Sequence, residues 1–78
     1  MSSIYPPLTC RQVKRILTNL GFKEGNQNAS SHVQWKKVED GQLYKVTVDC
    51  PKAPFSHDLI KSMSRQAGVT KDQFYEAL

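Results

Sequence analysis

Asp40-Gly41 sits between two runs in which apolar and polar residues alternate, and it constrains the fold more than any other feature of the chain. Asp-Gly favours a two-residue type I′ turn, whose twist matches that of paired strands. Loop length sets hairpin register. Glu39 therefore faces Gln42, and the pairs continue outward as Lys37–Tyr44, Lys36–Lys45, Trp35–Val46, Gln34–Thr47, Val33–Val48 and His32–Asp49. Trp35–Val46 and Val33–Val48 share one face, because strand side chains alternate. Turn chemistry and apolar pattern agree, so strands are predicted over residues 32–38 and 43–49.

The flanks read as helix. Residues 1–8 are a short arm that Pro6-Pro7 keeps extended. Thr9 and Gln12 make a capping box, Val13, Ile16, Leu17 and Leu20 share one helical face, and Gly21 closes the helix. A short strand is expected at residues 22–24, before the turn-rich "GNQNASS". Ser56 opens a second helix, with Asp58 in its first turn and Leu59, Ile60, Met63 and Ala67 buried, and Gly68 ends it. Thr70 with Gln73 caps a short final helix running to Leu78. The order is α-β-β-β-α plus a terminal turn of helix: one α+β domain over residues 1–78. Its three-stranded antiparallel sheet closes by packing both main helices on one face.

A 78-residue domain buries only about 60% of its unfolded surface, so a deep substrate cavity is excluded and any site lies at the surface. Eleven Lys and Arg against seven Asp and Glu give a net charge of +4, which points toward nucleic acid. Cys10 and Cys50 lack CxxC spacing and do not suggest a disulfide scaffold. No signal peptide or membrane span is legible, so a cytoplasmic protein with reduced thiols is expected. The scattered His and Cys residues have no metal-ligand spacing, and neither a metal nor another cofactor is expected.

The hairpin register also defines a polar face: Lys36–Lys45, Gln34–Thr47 and His32–Asp49. Like charges opposite one another cost stability, and a phosphate ligand turns that repulsion into a clamp. A carboxylate beside His32 favours its charged form, suiting a group that gives and takes a proton near neutral pH. Such a strip fits RNA cleavage, where the substrate's 2′-hydroxyl is the nucleophile. The histidine moves the proton and lysines stabilise the developing charge. DNA lacks that hydroxyl, and no direct DNA binding is expected. His57, in the first turn of the second helix, is a weaker candidate.

Three segments carry a resemblance to a known family. "LTNLGF", "ASSHVQW" and "LIKSMSRQAGVTKDQF" resemble the HicA family of toxin endoribonucleases (mRNA interferases), over residues 9 to about 74. The resemblance implies a double-stranded-RNA-binding-domain-like fold and a catalytic histidine, here His32; the hairpin register gives Asp49 as the residue that orients it. The polar face set by the hairpin register gives Lys36, Lys45, Gln34 and Thr47 as RNA-binding residues, together with Ser30 and Ser31 beside the histidine. The resemblance also implies a HicB-type antitoxin covering the active surface. Ala29 or Ser30 stands where the family has glycine, and Cys50-Pro51 where many members have His-Pro. The alternative is a non-catalytic RNA-binding module that holds RNA by shape and backbone contacts.

Overall fold

The computed structural model describes residues 6–25 and 32–78. Helix α1 (Cys10–Asn19) opens on the expected capping box. Gln12 N–H donates to Thr9 Oγ1 at 3.2 Å and Thr9 N–H to Gln12 Oε1 at 2.9 Å, satisfying two amides that the helix itself cannot. The helix ends at Gly21, φ 94°. There Phe22 N–H donates to Leu17 O and Gly21 N–H to Thr18 O, the paired closure of a Schellman motif.

Strands β1 (Lys23–Glu24), β2 (His32–Glu39) and β3 (Gln42–Asp49) form one antiparallel sheet in the order β1-β2-β3. Asp40 (φ 52°) and Gly41 (φ 77°) both take the positive φ that the type I′ turn needs. The β2–β3 register is the predicted one, from Glu39–Gln42 to His32–Asp49. Val33, Trp35, Val46 and Val48 are buried, whereas His32, Gln34, Lys36, Lys45 and Thr47 are exposed. Helices α2 (His57–Gln66), capped by Ser56, and α3 (Lys71–Glu76), opened by the Thr70–Gln73 box, complete the fold. Val13, Ile16, Leu17, Ile60, Met63 and the four sheet residues form one core.

The structure departs from the expected layout at four places. β1 begins at Lys23 rather than Phe22, because Phe22 spends its N–H on closing α1 and buries its ring. α3 stops at Glu76, with Ala77 as its cap. Leu8 is not part of a loose arm. It is 1% exposed and bridges Phe55, whose N–H donates to Leu8 O at 2.8 Å. Residues 1–5 of the expected arm lie outside the described residues.

The fourth departure corrects the expectation of two reduced thiols: Cys10 and Cys50 are joined as a disulfide, their Cα atoms 5.2 Å apart. Cys10 is the first residue of α1, and Cys50 opens a 3-10 turn (Cys50–Lys52) after β3. The Leu8–Phe55 bridge draws these two segments together, and a separation of 40 residues gave no spacing signal.

Gly68 is the most constrained glycine. Its φ is +76°, and a Cβ built there would lie 2.7 Å from Tyr44 Cε1. Gly68→Ala therefore lowers stability by about 1–3 kcal/mol, from the left-handed backbone and the overlap together. Thermal melting should show the drop.

Candidate functional site

The exposed face of the hairpin is laid out in rows by its register. His32–Asp49 forms the first row, Gln34–Thr47 the second, Lys36–Lys45 the third and Val38–Leu43 the fourth. The β1–β2 register sets Lys23 opposite Lys36, so the third row carries three ammonium groups: Lys23, Lys36 and Lys45. Cross-strand neighbours share a face, and like charges there repel. Among the described residues, no salt bridge includes these three lysines. Lys23 was not legible beforehand, since a two-residue strand has too little alternation to reveal its face. Lys37 points to the other face. Its Nζ donates to Leu20 O at 3.2 Å, at the C-terminus of α1, and lies over the rings of Phe22 and Tyr44. That lysine serves the fold.

His32 Nδ1 lies 3.6 Å from Asp49 Oδ2, close enough for attraction and too long for a good hydrogen bond. The His32 side chain is 56% exposed and that of Asp49 only 17%. The carboxylate is thus held by its surroundings while the ring stays open to a large ligand. Nδ1 is the ring nitrogen turned toward Asp49. The lysine row begins four residues along β2, roughly 13 Å away at ordinary strand rise.

His32, Thr47 and Asp49 also line a cleft of about 180 Å³ between the outer edge of β3 and α2. Phe55, Leu59 and Met63 supply its apolar side; Lys52, Ser62 and Gln66 complete the polar one. α2 is tied to the strand edge, where Thr47 N–H donates to Gln66 Oε1 at 3.3 Å. Lys52, Ser62 and Gln66 were not anticipated: helical periodicity marks Ser62 and Gln66 only as solvent-facing, and Lys52 lies in the loop bracketed by Pro51 and Pro54. His57 is not among the cleft residues; its Nε2 sits 3.0 Å from Lys71 Nζ. Ser30, Ser31 and Ala29 lie outside the described residues. Among the described residues no group of three or more His, Cys, Asp or Glu could hold a metal ion, and no helix is long and apolar enough to cross a membrane.

A small α+β domain with a half-exposed histidine at one end of a lysine-bearing sheet face is the class defined by this geometry. The family model described as "HicA toxin of bacterial toxin-antitoxin" matches residues 10–69, most of the chain. The chain belongs to the HicA toxin family, which makes it the toxin of a toxin–antitoxin system and implies an antitoxin partner. Comparison with curated proteins and with solved structures finds no match.

Proposed function

We propose that this toxin is a metal-independent endoribonuclease that cleaves mRNA, with His32 as general acid–base. The observation that carries the reading is the half-exposed ring of His32 beside the sheltered carboxylate of Asp49. In the proposed step His32 takes the proton of a ribose 2′-hydroxyl. That oxygen bonds to the adjacent phosphorus, and the bond from phosphorus to the 5′-oxygen breaks. The 5′-oxygen leaves and takes a proton from solvent water, giving a 2′,3′-cyclic phosphate and a 5′-hydroxyl end, and His32 returns its proton to solvent. Asp49 orients the ring. Gln34 and Thr47 offer hydrogen bonds to the strand as it crosses the sheet, and Lys23, Lys36 and Lys45 hold flanking phosphates. A HicB-type antitoxin covers this same face in the cytoplasm, where both act.

The test is incubation with single-stranded RNA in the presence of a chelator, followed by analysis of the ends. Cyclic phosphate and 5′-hydroxyl termini are expected, and an all-DNA strand should stay intact. Salt-sensitive binding to RNA without scission would favour a non-catalytic RNA-binding module instead.

The lysine row makes a separate prediction. Changing Lys23, Lys36 and Lys45 together to Gln removes three phosphate contacts. The slope of log affinity against log salt for single-stranded RNA should then fall by about 2, measured by fluorescence anisotropy.

A further inference from the structure

We propose that the cleft between β3 and α2 is a nucleobase subsite, and that Gln66 there selects guanine and uracil, which carry a carbonyl where adenine and cytosine carry an amino group. This rests on the RNA reading above and adds a source of sequence preference to it.

A base has two flat apolar faces and a polar rim. The cleft has the same division: Phe55, Leu59 and Met63 against Ser62 and Gln66. Its volume of about 180 Å³ is below the ~300 Å³ at which ordinary small-molecule pockets begin, and suits a single ring system. Asp49 on its lining opposes a phosphate inside, whereas Lys52 can hold the phosphate of a nucleotide whose base enters. His32 belongs to the same lining, so an inserted base would belong to a nucleotide next to the bond that is cut. Single-stranded RNA offers such bases, because they can be splayed out of the stack.

Gln66 has a fixed polarity. Its Oε1 accepts from Thr47 N–H on the strand edge, so the side of the amide left for a ligand is the NH₂. Among the described residues, no acceptor takes that group. A pure donor matches guanine O6 or uracil O4. Adenine and cytosine present an amino group at the equivalent position, donor against donor. The edge of β3 thus reaches substrate choice through the orientation of one side chain.

The test is cleavage of a randomised single-stranded RNA pool by the parent and by Gln66→Glu, with the 5′-hydroxyl ends sequenced. The parent should favour guanine or uracil over adenine and cytosine at one position flanking the cut, by about tenfold. Gln66→Glu keeps an oxygen for Thr47 N–H and replaces the donor by an acceptor. Its preference at that position should vanish or reverse toward adenine and cytosine. Identical base distributions for the two proteins would overturn the proposal while leaving the nuclease reading intact. A second measurement needs neither cleavage nor the variant: titrating the parent with 2′-O-methyl RNA should shift the Gln66 side-chain amide and Met63 methyl NMR signals. If saturating RNA leaves both signals in place, the cleft takes no base, whatever the protein cuts.

Discussion

His32→Ala should cut RNA about 10²–10⁴-fold more slowly than the parent, the usual worth of a positioned general acid–base. The loss should fall on kcat, with KM little changed, because the ring is asked to move a proton and not to hold the strand. The lysine row and Gln34 remain in place to bind. Stability should be nearly untouched, since the side chain is 56% exposed and surface changes of this kind stay within about 0.5 kcal/mol. Asp49→Asn keeps the shape but weakens the contact that orients the ring, and a smaller loss of about tenfold is expected. In cells, induction of the parent should arrest growth and induction of His32→Ala should not. A His32→Ala protein that cuts as fast as the parent would take the chemistry away from this residue and leave the sheet face as a binding surface only.

What could be read from the residues was whatever is settled by a few neighbours. Asp40-Gly41 decides its own turn, and from there ladder arithmetic reaches His32–Asp49 without any knowledge of the core. The capping boxes at Thr9 and Thr70 are local in the same way. Features that need two distant segments to meet were invisible. The Leu8–Phe55 bridge and the Cys10–Cys50 disulfide both depend on how the start of the chain lies against the loop after β3. Lys23 joins the lysine row only through pairing across residues 25–31, which no short motif specifies. The cleft divides along the same line: His32 and Thr47 come from the legible hairpin, Lys52 from the turn after β3, and Ser62 and Gln66 enter through the docking of α2 on β3.

Phe74→Ala should cost about 3–5 kcal/mol, the range for emptying a buried phenylalanine site. Its helix lies beyond the family match at residues 10–69 and looks expendable on that ground. The packing says otherwise. Six residues cannot hold a helix unaided, so α3 persists because Phe74, fully buried, is inserted in the core. Asn19 Nδ2 also donates to Ala77 O, and Tyr75 Oη to Pro6 O, both at 2.6 Å, fastening α3 to α1 and to the N-terminal segment. Burial raises the Tyr75 hydroxyl's pKa above the ordinary tyrosine value, so it stays a donor. Tyr75→Phe should therefore cost only about 1 kcal/mol, one hydrogen bond. Domains have roughly 0.05–0.15 kcal/mol of stability per residue, about 4–12 here, so the Phe74→Ala loss is a large share of the whole. Denaturant titration should show a much lower midpoint with an unchanged slope. An unshifted midpoint would mean that α3 lies outside the cooperative unit. The two losses should also separate in kind: Phe74→Ala loses RNA cleavage in proportion to the fraction unfolded and recovers it on cooling or at lower denaturant. His32→Ala, fully folded, recovers nothing under the same conditions.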